Sequence, residues 1–418
     1  MFGLGVKSNR FINRKFSMIK VMRFLFLILI GTLTFSCVNH SSEFIPLSVI
    51  AKHTNGLEYI GMNSCIECHP QIVASHLQTS HYNTSKPFRF ELIEEAFIPN
   101  NNLLSFGNGD LIKFTQKERA AFQEGYLNQS ENPVFKKSMD LIIGSGNKIG
   151  RSFLNWEDTS LFQLQGSHFS PLNQWINSPG YTSALSPMRP IFPRCLECHT
   201  TYARPENPSS ATQNNRYVKN QIIYGIDCQR CHGEVVKHVN YQRKNRLDTV
   251  GKYITRYANF SQDQRISMCA LCHSGTGQES SIKSFSFQAG DELTEFISTN
   301  YKTPSSNKLD VHANQVGLLM ASMCFQKSKK MDCMTCHDPH KTERGMEVKF
   351  NNICISCHQG IKHNQNTTLK TPNLSDCISC HMPLENSKTM KLELEKENLQ
   401  PVKVRSHLIG INPNLTSE

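Results

Sequence analysis

The pattern C-x-x-C-H occurs seven times in this 418-residue chain, and it limits the fold more than any other feature. The occurrences are Cys65/Cys68/His69, Cys195/Cys198/His199, Cys228/Cys231/His232, Cys269/Cys272/His273, Cys333/Cys336/His337, Cys354/Cys357/His358 and Cys377/Cys380/His381. They take up fourteen of the sixteen cysteines. Two thiols at this spacing match the two vinyl groups of a haem, and a histidine directly after them reaches the iron from the same side, which is the attachment signature of haem c. Structural zinc also uses C-x-x-C pairs, but it takes two pairs, or a pair and distant histidines, per metal. Zinc gives no reason for a histidine after every pair. The spacing therefore implies seven covalently attached haem c groups, with the seven motif histidines as iron ligands.

A chain of this length ordinarily builds two or three domains on aliphatic cores. Seven porphyrins change that, because they bring apolar surface of their own that loops can wrap. The expected fold class is a multihaem cytochrome c: mostly short α-helices and loops wrapped round stacked haems, with a small antiparallel β-rich insert. The expected segments are a leader (1–36), an N-terminal haem segment (37–84), a haem-free β-rich insert (85–190), a six-haem module (191–390) and a C-terminal tail (391–418) carrying a candidate distal ligand. Uneven motif spacing argues against a one-haem repeat. The last three motifs lie about twenty residues apart, so their porphyrins must be neighbours.

The insert rests on turn chemistry. "LLSFGNGDLIKF" (103–114) puts Gly-Asn-Gly-Asp between two apolar runs, and "GRSFLNWEDTSLFQLQ" (150–165) does the same around 157–160. "GSGNKIGR" (144–151) lacks the P-loop pattern and reads as a turn between strands. Trp156 and Trp175 read as packing anchors. "ENSKTMKLELEKENLQ" (385–400) is charged and helix-permissive, so an exposed helix or tail is expected.

Six basic residues, Lys7, Arg10, Arg14, Lys15, Lys20 and Arg23, precede the apolar run "FLFLILIGTL" (24–33) with no acidic residue among them. That is an export leader, too short to span a bilayer comfortably. "TFSC" then resembles a lipobox in which Cys37 becomes lipidated; an ordinary cleaved leader with an incidental cysteine is the alternative. Either way the chain is exported, as a periplasmic or outer-membrane-anchored lipoprotein of a Gram-negative-type bacterium. Loss of the six leader charges lowers the formal net charge from +11 to +5. Two propionates on each haem would carry it to roughly −9, which removes the nucleic-acid reading.

Ten histidines remain outside the motifs. His340 lies on the same side of its porphyrin as His337, so it can serve only a neighbouring iron. His238, His312 and His340 lead as distal ligands, followed by His81, His363 and His407, whereas His40, His53, His76 and His168 read as ordinary histidines. Six candidates stand for seven irons; an iron without a distal ligand could bind and reduce a small molecule, but counting alone does not decide whether one is open. Cys324 stands outside any attachment spacing and reads as a small apolar side chain; Met320, Met323 and Met382 read as packing residues.

"CIECHPQIVASHLQTSHYNTS", "IGSGNKIGRSFL", "PIFPRCLECHTTYA", "GIDCQRCHGEVVKHV", "MDCMTCHDPH", "CISCHMP" and "VRSHLIGI" resemble the exported multihaem cytochromes of the cytochrome c-554 type. That group also includes hydroxylamine oxidoreductase and the multihaem nitrite reductases. The resemblance implies haem ligation by His81, His238, His312, His340 and His407. It departs from the pentahaem nitrite reductases, whose catalytic motif is C-x-x-C-K, and it shows no counterpart of the tyrosine cross-link region of hydroxylamine oxidoreductase. An electron-transfer protein is therefore favoured over an enzyme that oxidises or reduces a small nitrogen or sulfur compound at one open haem. Expected partners are other redox proteins or a quinol-oxidising membrane complex, with a lipid anchor to the membrane and no nucleic acid.

Overall fold

The computed structural model describes residues 47–53, 55–98, 101–128, 130–146, 149–207, 214–275, 284–297, 309–360, 376–395 and 398–411. The chain divides into Met1–Leu47 and Ser48–Glu418, and the elements below lie in the second unit. The leader, Cys37 and His363 lie outside the described residues.

A short hairpin, β1 (Ala51–Lys52) and β2 (Glu58–Tyr59), precedes the first motif, and β3 (Ser85–Pro87) follows it. A four-stranded antiparallel sheet comes next: β4 (Leu103–Ser105), β5 (Leu111–Lys117), β6 (Ala120–Tyr126) and β7 (Phe135–Ser138). In β5 the alternation is plain, since Ile112 and Phe114 are buried while Lys113 between them is exposed. The 103–114 stretch is the β4–β5 hairpin.

The larger sheet has eight strands. Its centre is β8 (Leu141–Gly144), β9 (Gly150–Glu157), β10 (Ser160–Phe169) and β11 (Gln174–Asn177). At the two ends of "GSGNKIGR", β8 and β9 pair antiparallel with Gly144 opposite Arg151. The strand β12 (Arg189–Pro190) pairs with β10, whereas β13 (Thr200–Pro205) and β14 (Tyr217–Tyr224) form a separate hairpin. Leu141 and Ile143 face one core and Ile142 the other, so the sheet is apolar on both sides. On one side Phe114 stacks on Trp175 with ring centres 3.6 Å apart, and the Trp175 indole donates to the Ala96 carbonyl. Gly166 passes directly beneath the Phe114 ring, where any Cβ would collide with it. On the other side Leu154 and Leu161 pack with Leu196, which belongs to the helix of the second motif, Pro193–His199.

Two expectations need correction. The β structure is not a small insert: the large sheet ends in β15 (Leu384–Glu395) and β16 (Asn398–Arg405), brought in from the far end of the chain. The charged stretch 385–400 is accordingly an antiparallel hairpin and not a helix or tail. Asn177 of β11 pairs with Glu393 and donates to its carboxylate at 2.8 Å. Asp310 adds a second tie. Its buried carboxylate accepts from Ser387 Oγ (2.8 Å), Lys388 N–H (3.0 Å), Thr389 N–H (2.8 Å) and the Thr389 hydroxyl, across the irregular turn of the strand.

Candidate functional site

The motifs sit at the ends of short helices: Asn63–Ile66, Pro193–His199, Cys228–His232, Gln262–His273, Glu347–Cys357 and Cys377–His381, with a 3-10 turn at Cys333–Thr335. One helical turn places both cysteines of a pair on the same side. Aspartates start three of these turns. Asp227 accepts from Cys228 N–H, Asp332 from Thr335 N–H at 3.1 Å, and Asp376 from Ser379 N–H at 3.4 Å. The reading of the sequence overlooked these caps, although the recurring Asp-Cys step at the head of the third, fifth and seventh motifs was the signal for them.

The structure brings distal candidates opposite motif histidines. The ring centres of His232 and His340 are 6.2 Å apart with planes 11° apart; those of His337 and His407 are 6.2 Å apart at 29°; those of His81 and His273 are 6.2 Å apart at 76°. This spacing tests the fit of a haem iron. An imidazole nitrogen binds a transition metal at about 2.0 Å, and its ring centre lies about 1.1 Å behind, so two rings on one metal have centres about 6 Å apart. The three pairs fit.

Hydrogen bonding agrees with the spacing, because a ligating histidine uses one nitrogen for the metal and donates from the other to a fixed acceptor. Nδ1 meets the Thr255 carbonyl at His232 (3.4 Å), Asp338 at His340 (3.2 Å), Glu343 at His337 (2.9 Å), the Arg405 carbonyl at His407 (3.3 Å) and Gln315 Oε1 at His273 (3.4 Å). The same holds at His199 with the Thr84 hydroxyl (2.8 Å), at His381 with the Gly410 carbonyl (2.9 Å) and at His238 with the Lys252 carbonyl (2.8 Å). In each case Nε2 faces away from that partner. Desolvation by the surrounding protein, with neighbouring histidines adding to the effect, presses the imidazoles of His81 and His407 down to about 4. His81 nonetheless keeps part of its surface open to solvent, and His407 is only half-buried.

Three other histidines, His53, His76 and His168, are hydrogen-bonded elsewhere. His53 uses both ring nitrogens, one on the Phe285 carbonyl and one on Asn55 N–H. His76 lies 6.3 Å from His340, but its Nε2 is bonded to the Ile226 carbonyl at 2.8 Å. His168 is fully buried in the sheet, bonded to Asn173 and edge-on to Trp175. His312 lies in the loop held by Asp310, beside a cavity of about 400 Å³ lined by Val311, Leu318, Lys388 and Ser406. His69 and His358 are exposed.

Distant segments are held together at close range. Gly225 has φ +67°, and a Cβ there would strike the Tyr82 carbonyl, so glycine lets the segment after His81 lie against the entry to the third motif. Ile226 N–H donates to the His81 carbonyl at 2.9 Å. The loop after the fifth motif also reaches this point: Thr342 Oγ1 donates to the Gln78 carbonyl at 2.7 Å.

Cysteines of different motifs are electrostatic neighbours. In the pairs Cys65 and Cys228, Cys198 and Cys272, Cys269 and Cys333, and Cys354 and Cys377, one thiol shifts the equilibrium of the other. Cys231 lies in the electrostatic field of Cys269, and Cys354 in that of Cys336. These neighbours order the motifs first, third, fourth, fifth, sixth, seventh, with the second as a branch on the fourth.

The other four motif cysteines are Cys68, Cys195 and Cys357, which are exposed, and Cys380, which is half-buried. Cys324 is half-buried rather than fully buried, with its thiol 3.8 Å from the Met331 sulfur and close to Cys336, Cys354 and Cys357. Among the described residues no group of three or more His, Cys, Asp or Glu side chains is placed to hold a metal ion unaided, as the zinc alternative requires.

Residues 167–233 match the family described as cytochrome c554 and c-prime. The fold is similar to that of the outer cell wall cytochrome OcwA, with a TM-score of 0.50 and 16% identity over 84% of this chain and 79% of that one. No curated protein matches. The matched segment and the shared fold support a multihaem c-type cytochrome, carrying covalently bound haem c and exchanging electrons with redox partners.

Proposed function

We propose that this chain is an exported heptahaem cytochrome that passes electrons between redox partners through closely spaced haems, most of them held between two histidines. The observation that carries this reading is the set of three facing imidazole pairs with ring centres 6.2 Å apart, His81–His273, His232–His340 and His337–His407, on motifs whose cysteines are electrostatic neighbours in series from Cys65 to Cys377. Haem c supplies one-electron iron chemistry when bound. The chain's own part is to bring neighbouring attachment points together and to offer imidazoles from both sides. Under this reading all fourteen motif cysteines are attachment points, Cys68 and Cys380 at the two ends included, and the seven motif histidines are proximal ligands. His81, His340 and His407 are then distal ligands opposite His273, His232 and His337. His238, His312 and His363 are the distal candidates for the remaining irons. Donor and acceptor are other redox proteins or a quinol-oxidising membrane complex.

Export agrees with the leader, and the fold is shared with an outer cell wall cytochrome. A lipid on Cys37 would hold the protein at a membrane surface of a Gram-negative-type bacterium. Among the described residues no helix is long and apolar enough to cross a membrane.

One observation favours a second reading, an oxidoreductase acting on a small nitrogen or sulfur compound at an open iron. Three irons are accounted for by the facing pairs, and the distal candidates left, His238, His312 and His363, are one fewer than the four irons that remain.

The test is low-temperature EPR with resonance Raman on the holoprotein, checked by mass for seven haems. Low-spin six-coordinate irons should dominate, and His340→Gly should turn one of them high-spin while the haem number stays the same. A chain that carries no haem, or spectra indifferent to His340→Gly, would overturn the reading. A high-spin iron in the unaltered protein that binds nitrite or hydroxylamine would favour the oxidoreductase.

A further inference from the structure

We infer that Glu343 is a positioning residue that lowers the reduction potential of the haem held by Cys333, Cys336 and His337, acting through the His337 imidazole, and that Lys349 moderates it. The inference rests on the proposed attachment of haem at this motif. Glu343 Oε2 accepts from His337 Nδ1 at 2.9 Å. At His199, His232 and His273 the corresponding acceptors are neutral: a hydroxyl, a backbone carbonyl and a side-chain amide. A carboxylate drawing on the Nδ1 proton gives the ring imidazolate character and makes the other nitrogen a stronger donor. A stronger axial donor stabilises ferric over ferrous iron, so the potential falls.

Glu343 is built into place for this. Its side chain is only 10% exposed, although the ring it serves is 47% exposed. Its other oxygen, Oε1, accepts from Asp338 N–H at 3.0 Å and from the Lys349 ammonium. These two bonds fix the carboxylate against His337 and stop it turning to solvent. Lys349 projects from the Glu347–Cys357 helix, which carries the next motif, so the counter-charge on Glu343 comes from a neighbouring attachment segment. The location gives the effect weight. Cys333 neighbours Cys269 on one side, and Cys336 neighbours Cys354 on the other, so this motif lies inside the series and not at its end.

The experiment is spectroelectrochemical titration of the full-length holoprotein, with haem number checked by mass, for Glu343→Gln, Glu343→Asp and Lys349→Met. Glu343→Gln keeps an acceptor oxygen and removes the charge; it should move one midpoint potential upward and shift the EPR g-values of one low-spin iron. Lys349→Met should move the same midpoint downward, and Glu343→Asp should stay near the unaltered protein. With haem number intact, no upward shift in Glu343→Gln, or an equal shift of every midpoint, overturns the inference. Where Glu343→Gln does not fold, Lys349→Met decides alone, and an unmoved or raised midpoint overturns it. Loss of every haem from the unaltered chain would instead sink the proposed function.

Discussion

The sheet region and the motif helices are held together by different means. In the sheets, side chains bury one another: Ile112, Phe114, Phe153, Leu154, Leu161 and Leu164 are at most 1% exposed. Most of the motif helices bury almost nothing of their own. Asn63–Ile66 has no buried residue, Cys228–His232 buries only Gln229, and Glu347–Cys357 only Asn351. The second and fourth motifs are exceptions: Leu196 of the second packs into the sheet core, and the longer helix of the fourth packs Ile266, Ala270 and Leu271 against Leu293 and Val316. A helix of five residues has no stability of its own. The sheet can therefore stand on its amino acids, whereas most motifs depend on what their cysteines and histidines hold.

The largest effect that can break this comparison is loss of attachment. When the protein is made without haem-attachment machinery, hydrogen exchange should show β5, β6, β9 and β10 still protected while Cys228–His232 and Glu347–Cys357 exchange freely. Equal protection in both regions would dissolve the distinction. Next in size is Trp175→Ala, which should cost about 4 kcal/mol in chemical denaturation of the holoprotein. The low-spin haem spectrum should be unchanged, since that cavity opens inside the sheet core.

The smallest effect sharpens the comparison at the point where the regions meet. Asp310→Ala should cost about 3 kcal/mol, because it leaves the donors of residues 387–389 unpaired. It should also loosen His407 beyond the hairpin, and with it raise the high-spin fraction of one iron. Burial alone would raise the Asp310 carboxyl, but the hydrogen bonds from Thr389, Ser387 and Lys388 outweigh it and hold the group well below the usual carboxylate range. A depressed folded value means that this stabilisation is complete above about pH 4 and is lost as the pH falls below that. Acid unfolding curves of the unaltered protein and Asp310→Ala should converge in that direction.

Local chemistry was legible in the sequence. Attachment cysteines and proximal histidines lie within five residues of one another, and the β4–β5 and β9–β10 hairpins announce themselves by their turns. The C-terminal hairpin was misread because its charge and helix-permissive residues outweighed a period-2 signal in "KLELE" (391–395). Charged alternation suits a strand near a sheet edge, and its partners, Asp310 and Asn177, are far away in the chain. The carboxylates of Asp338 and Glu343 were overlooked for a related reason. In "CHDPHKTERG" they look like solvated charges, and only the folded loop turns each onto an imidazole. Nor does the motif itself tell an inward cysteine from an outward one. Cys65 and Cys68 are equivalent in "CIECH", and the fold alone sets Cys65 against Cys228 and leaves Cys68 exposed.

The sequence by itself determined where the seven C-x-x-C-H motifs lie, and with them the proposed attachment points, because two thiols and a histidine at fixed local spacing are all that the motif needs. Only the tertiary structure decided which imidazole faces which, in what order the motifs neighbour one another, and where a carboxylate stands behind a ligand. His81 meets His273, and His340 meets His232, across long stretches of chain. Those are contacts through space, and they exist only once the sheet, the Gly225 crossing and the Asp310 tie have brought the segments together.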